Sequence, residues 1–269
     1  MTIEIFIILL CIGIATGILA GYFGVGGGII IVPSLISIYA WKGLYPEFDV
    51  HVAVATSLFT IIFTTLSSSI KHARSGNVEY LPAVIIGLTS SVSVILLSKA
   101  AINLPGSVLK IIFSVLLLII AVKMFFENSS HKNKNKGKHI YSKPLSSLIG
   151  IISGSIAAFT GLGGGVIIVP MMKYILRFNI KKAIGTSSAA ILLTAIAGVA
   201  GYYLNVPDNF TGGKFFLGMV DTYSALAIII GSVPFSQIGV YLNKKTPHEH
   251  LNRLFALFII FVAVRMIFF

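Results

Sequence analysis

Ten apolar stretches separated by short polar breaks set the pattern of this chain. They run at about 3–22, 28–41, 51–70, 80–101 and 106–126, then, beyond a polar interval, at 145–160, 165–178, 183–204, 218–242 and 248–268. Most are long enough for a helix to cross a hydrocarbon layer of about 30 Å, which takes about 20 residues, and the period-two alternation of barrel strands is missing. The pattern predicts an all-α, polytopic helical membrane protein with about 8–10 membrane segments. Composition agrees. Of 269 residues, 56% are hydrophobic and 10% charged, and the mean hydropathy is +0.97, far too apolar for a water-soluble domain.

Two of the breaks are nearly the same string. FGVGGGIIIVP spans Phe23 to Pro33 and TGLGGGVIIVP spans Thr160 to Pro170. Consecutive glycines disfavour a helix by about 1 kcal/mol each relative to alanine, and lipid gives a broken backbone nothing to bond to. Such an interruption is expected to be buried in protein or to line a wet cavity. Where it opens a helix, its exposed N–H groups and the helix dipole together favour an anion. The competing role is close helix packing through small residues. Gly24, Gly26, Gly27 and Gly28, with Gly161, Gly163, Gly164 and Gly165, are therefore candidate substrate-binding residues. Neither string is a dinucleotide fingerprint, because Ile29 and Val166 stand where GxGxxG needs its last glycine, and no Lys follows in P-loop register.

The likeness extends beyond the strings. The glycines and Pro33 recur 137 residues later, Thr56-Ser57 recurs as Thr186-Ser187 after 130, and Ala121-Val122-Lys123-Met124 recurs as Ala263-Val264-Arg265-Met266 after 142. Four matched features in one order imply duplication. The chain then divides into a first membrane repeat at 1–126, a lysine-rich polar linker at 127–144, and a second membrane repeat at 145–269.

Charge decides how the halves are oriented. If each glycine string only kinks a helix, each half crosses four times and the repeats are parallel. If it turns the chain round, each half crosses five times and the repeats are inverted. The five-crossing arrangement puts 15 of the 20 Lys and Arg residues on one side, leaving Lys42, Lys99, Lys110, Lys214 and Arg265 on the other. The four-crossing arrangement divides them 10 to 10 and, with the linker inside, leaves more outside than inside in the remaining loops. Positive residues concentrate on the cytoplasmic side. Two inverted repeats of five segments are therefore expected, with the linker in the cytoplasm and both termini outside. The 14-residue segments 28–41 and 165–178 rise about 21 Å and either span or re-enter. The net charge of +12 is accounted for by these loops, so no nucleic-acid partner is expected.

Other candidate chemistry is sparse. Thr56, Ser57, Thr186 and Ser187 can cap a helix or contact a bound oxyanion. Ser57, Thr60, Thr64 and Ser68 share a helical face, either a polar lining or hydroxyls bonded to their own helix. His72, whose counterpart is Tyr202, lies between Lys71 and Arg74 at an expected helix end. It is a candidate for coupling or gating, or a simple interfacial residue. Glu79 and Asp221 match across the halves and lie at segment starts, which acidic residues favour for their own sake. The remaining histidines have no metal-ligand spacing, and no metal or cofactor is expected. Cys11, the single cysteine, is expected to be a small packing residue, and Tyr39, Trp41 and Tyr45 to be interface anchors. The N-terminus lacks the positive region of a cleaved signal peptide, so the first stretch is expected to remain.

The repeated GxGGGxxxxP string, the following Ala55-Thr56-Ser57 and Gly185-Thr186-Ser187, and His72 before Gly76-Asn77-Val78 resemble the TauE/SafE family of membrane transporters over essentially the whole chain. The resemblance implies movement of a small sulfur-containing anion such as sulfite or an organosulfonate. The expected activity is secondary transport across a bacterial-type cytoplasmic membrane, not enzymatic catalysis, with the lipid bilayer, a small anion and a homo-oligomeric copy as the expected partners. An anion channel or passive pore and a cation transporter are the alternatives; Thr and Ser hydroxyls with unwound carbonyls suit the latter, and the shortage of buried carboxylates opposes it.

Overall fold

The computed structural model describes residues 3–126, 142–213 and 215–245. The stretch at 248–268, with the match at 263–266, and residues 127–141 of the linker lie outside the described residues. Among those described, the chain forms α1 (Ile3–Phe23), α2 (Gly28–Lys42), α3 (Asp49–Arg74), α4 (Tyr80–Asn103), α5 (Gly106–Phe126), α6 (Lys143–Thr160), α7 (Gly165–Tyr174), α8 (Ile180–Leu204) and α9 (Thr222–Lys245), plus a two-stranded hairpin of β1 (Phe216–Leu217) and β2 (Val220–Asp221). Helices α1, α3, α4, α6, α8 and α9 are long and apolar enough to cross a membrane. The protein is a multi-pass helical membrane protein.

At two boundaries a helix falls short of its apolar stretch. α7 stops at Tyr174 although apolar residues continue to Phe178. The Ile175 N–H still bonds Met171 O (2.8 Å), but the Phe178 N–H reaches back to Met172 O (3.1 Å) through Arg177 at φ 57. That return ends the helix in the left-handed manner usually taken by glycine. α9 starts at Thr222, not near 218, because Gly218 (φ 59) turns the hairpin and the Asp221 carboxylate caps the helix through the Ser224 N–H (3.2 Å). α2 has 15 residues and α7 has 10, so they rise about 22 and 15 Å, less than a hydrocarbon core.

Small residues bring the long helices together. A Cβ on Gly13, Gly17 or Gly21 of α1 would collide with the carbonyl oxygens of Ile228, Ser232 and Ser236 of α9, so α1 and α9 run parallel in register. α6 meets α4 in the same way, Gly150 against Ile86 O (2.6 Å) and Gly154 against Ser90 O. Lipid tails are as apolar as leucine, so burial gives little incentive for helices to associate there, and close backbone approach supplies the attraction instead. α3 and α8 cross antiparallel at the centre, with Leu58 against Gly198 and the N-terminal Gly185 of α8 against Asn77, just beyond the end of α3. Outward faces carry Ile7 and Ile8 of α1, Leu88, Val92 and Leu96 of α4, and Leu226 and Ile230 of α9. Cys11 is also exposed, so it faces outward and is not the packing residue expected from the sequence.

Candidate functional site

Each glycine string ends one helix and starts the next at a sharp reversal. Gly24, Gly26 and Gly27 have φ of 66, 77 and 92, and Gly161, Gly163 and Gly164 have φ of 67, 67 and 80. L residues with a Cβ avoid that region. A continuous α1 would carry Gly27 more than 15 Å beyond Thr16, at about 1.5 Å per residue, yet a Cβ on Gly27 would collide with the Thr16 methyl. The chain therefore folds back along α1. Gly28 and Gly165 have ordinary helical backbones but meet the opposite string. A Cβ on Gly28 would lie 2.6 Å from Gly161 O, and one on Gly165 would lie 2.9 Å from Gly24 O. Ile61 of α3 and Ile191 of α8 both border Gly26 and Gly163, closing the contact. Every residue from Gly24 to Gly28 and from Gly161 to Gly165 is buried.

The strings leave donors open. The Ile30 and Ile31 N–H groups bond Gly27 O, and those of Ile167 and Ile168 bond Gly164 O. Among the described residues, the N–H groups of Gly26, Gly27, Gly163 and Gly164 find no acceptor. Buried backbone donors are nearly always bonded, so these four groups at two helix starts are candidate donors to an acceptor.

Thr56, Ser57, Thr186 and Ser187 join this centre through protein bonds. Ser57 Oγ donates to Gly161 O and Ser187 Oγ to Gly24 O, both at 3.0 Å. Thr56 Oγ1 accepts the Asp221 N–H and Thr186 Oγ1 accepts the Glu79 N–H, again both at 3.0 Å. The serines thus satisfy carbonyls that a terminated helix leaves open. Ser57→Ala and Ser187→Ala are expected to cost stability nearly equally, about 1 kcal/mol each. Chemical denaturation of the purified protein in detergent checks this, and a clear inequality would mean the two bonds are not equivalent.

His72 and Tyr202 are placed alike. His72 Nε2–H donates to Gly21 O (3.1 Å) and Tyr202 O–H to Ala158 O (2.8 Å), near the ends of α1 and α6. Both side chains are fully buried, so His72 is not interfacial, as one sequence reading allowed. Asn243, which the sequence did not single out, donates from Nδ2 to Tyr22 O (2.6 Å) and covers the next carbonyl of α1. Thr16 was also missed. It is buried beside Gly27 with an unpartnered Oγ1, and His72 Nδ1 and Asn243 Oδ1 are unpartnered too. The available signal was its offset: Ser153 stands 137 residues beyond Thr16, in the register of the strings, and packs against Gly164.

The polar face of α3 turns inward. Thr60 bonds Thr56 O (2.8 Å), Thr64 bonds Thr60 O (3.1 Å), and Ser68 bonds Thr65 O (3.3 Å), while Thr64 also meets Ser232 of α9 at 2.9 Å. These hydroxyls are satisfied by helix carbonyls and a neighbouring helix. Glu79 pairs with Lys182, whereas the buried Asp221 carboxylate accepts Tyr39 O–H (3.1 Å) and Ser224 Oγ–H (2.7 Å). Tyr39 is thus an interior residue and not the expected interface anchor, while Trp41 is exposed with Lys42 Nζ 4.0 Å from its ring centroid. Tyr45, in the loop before α3, stacks edge-on against Tyr39; burial, aided by the Asp221 charge, pushes its phenol up to about 12. Among the described residues no cluster of three His, Cys, Asp or Glu has a metal-binding arrangement.

The sequence matches the family model described as Sulfite exporter TauE/SafE over residues 9–266. A probable membrane transporter protein of Haemophilus influenzae is 32% identical over 262 residues, covering 96% of this chain and 97% of its own. One from Methanocaldococcus jannaschii is 30% identical over 246 residues, covering 91% and 89%. A third, YunE of Bacillus subtilis, is 24% identical over 278 residues, covering 98% and 97%. No solved structure matches the chain. With a family model spanning nearly its whole length and long relatives sharing about a third of its residues, this chain belongs to the TauE/SafE family.

Proposed function

We propose that this protein is a secondary transporter that carries a small, sulfur-containing oxyanion across the cytoplasmic membrane. The observation that carries the reading is the set of four unbonded, buried N–H groups at Gly26, Gly27, Gly163 and Gly164, where two broken helices meet. Such groups bind an oxyanion without a buried cation, and two helix dipoles reinforce them. The names of the relatives support transport, and the family description names sulfite.

The two halves act as inverted repeats. α1 runs parallel to α9 and α6 parallel to α4, α3 crosses α8 antiparallel, and the fold-back at Gly27 supports a chain reversal at each string. The C-terminal ends of α3 and α9 lie with the N-terminal end of α8, and Lys181 Nζ donates to Lys244 O there (3.4 Å). That basic end, with the linker, is cytoplasmic. Alternating access rocks one half against the other around the strings. His72 and Tyr202 then hold the helix ends that must move.

Proteoliposomes loaded without substrate test the reading. Saturable uptake of radiolabelled sulfite or sulfoacetate in preference to chloride, changed by an imposed pH gradient or membrane potential, is expected. Non-saturating flux would instead describe a channel, and competent protein without anion flux would overturn the proposal.

A further inference from the structure

We propose that a crevice between α3 and α9 is a binding site for one anionic phospholipid. The crevice is lined by Lys71, Pro234, Gln237, Ile238 and Tyr241 and has a volume of about 280 Å³. It lies on the outer wall, apart from the glycine strings, and the exposed Phe63, Leu66 and Ile70 of α3 and Ile230 of α9 face outward along the same helices. A hydrocarbon-facing crevice of this kind is open to lipid.

Its chemistry is graded along the membrane normal. At the end of the helices stands Lys71, and Lys245 Nζ lies 4.6 Å from the ring centroid of Tyr241. Among the described residues, no carboxylate pairs with Lys71, Arg74, Lys244 or Lys245. One level deeper, Gln237 brings an amide whose Nε2 is 3.5 Å from Ser67 Oγ. Deeper still, Pro234 is apolar, and Ile238 adds apolar surface about level with Gln237. From Tyr241 to Pro234 the helix rises about 10 Å. That order, unpaired cations, then an amide donor, then hydrocarbon, matches phosphate, ester carbonyl and acyl chain of one phospholipid. A zwitterionic choline headgroup would bring its own cation against Lys71 and Lys245, so the site selects a lipid with net negative charge. Lysines stretched along apolar helix surface with their charge at the headgroup level are suited to this contact.

Native mass spectrometry of the full chain in neutral detergent, titrated with dioleoylphosphatidylglycerol or dioleoylphosphatidylcholine, tests the site without reference to transport. The wild type is expected to retain one phosphatidylglycerol in preference to phosphatidylcholine. Lys71→Gln and Lys245→Gln are each expected to weaken retention of phosphatidylglycerol about five-fold, the worth of one basic residue near an anionic headgroup. Lys71→Arg should keep it, which separates lost charge from lost fold. Lys42→Gln, on an exposed cation outside the crevice, should leave retention unchanged. Equal retention of the two lipids, or a Lys71→Gln, Lys245→Gln double variant that holds phosphatidylglycerol as tightly as wild type, would overturn the proposal.

Discussion

Gly27→Ala is expected to abolish uptake and to destabilise the protein by about 2–5 kcal/mol, a large loss for a single methyl group. Two separate costs combine. The backbone stands at φ 92, where a Cβ is strained against its own chain, and the added methyl would collide with the Thr16 side chain. Thr16→Ala removes the second cost but not the first, so the Thr16→Ala, Gly27→Ala double variant should recover part of the stability and none of the flux. The corresponding change on the other string, Gly164→Ala, meets φ 80 and the Ser153 carbonyl oxygen at 2.8 Å and should behave alike. Gly28→Ala supplies the contrast. Its backbone is ordinary, but its Cβ would sit 2.6 Å from Gly161 O and 3.2 Å from the Ile61 side chain, so any loss there comes from crowding where the strings meet and not from backbone strain. Uptake by reconstituted protein, alongside denaturation in detergent, reads both quantities. Normal uptake by Gly27→Ala would remove the strings from the substrate path.

Gly17→Val should be still more damaging, because it attacks the assembly of helices and not one turn. A Cβ on Gly17 would overlap the Ser232 carbonyl oxygen and approach Ser232 Cα at 2.8 Å, so α1 would have to move by about 1 Å to admit even one methyl. The glycines at 13, 17 and 21 form one edge of α1, and Gly231 and Gly239 of α9 receive α1 in return. The whole seam would open. The yield of monodisperse protein after detergent extraction is expected to fall about tenfold or more, as for an overpacked core that cannot relax. Cys11→Leu, on the exposed face of the same helix, should leave the yield unchanged. Wild-type yield from Gly17→Val would show that the α1–α9 seam does not hold the fold.

Much of this architecture was legible in the sequence. The nine helices among the described residues follow the apolar stretches closely, since an apolar run in lipid has no option but to close its hydrogen bonds within itself. The repeated glycines announced a broken backbone, and the matched Thr-Ser pairs announced its neighbours. Less was visible at helix ends and in the interior. Nothing local in Arg177 signals a left-handed residue that ends α7 early. His72, Tyr39 and Asn243 sit in stretches whose polarity reads as interfacial, yet all three are buried because each meets a partner far away in the chain: Gly21 O, the Asp221 carboxylate and Tyr22 O. Polar side chains go inside only where tertiary structure supplies such partners, and the partners are carbonyls and carboxylates set free by the termination or start of another helix. Thr16 was hidden for a simpler reason: a single hydroxyl in an apolar run looks like any other.

The mutual fit of the two strings ties their histories together. Gly28 is small because Gly161 presents a carbonyl to it, and Gly165 is small because Gly24 does the same in return. Neither string can enlarge unless the other gives way, so a drift in one is punished at a place 133 or 141 residues away. Loops that touch only water or lipid are under no such contract and are free to diverge. The most repetitive piece of this chain is therefore the piece in which each copy serves as the mould for the other.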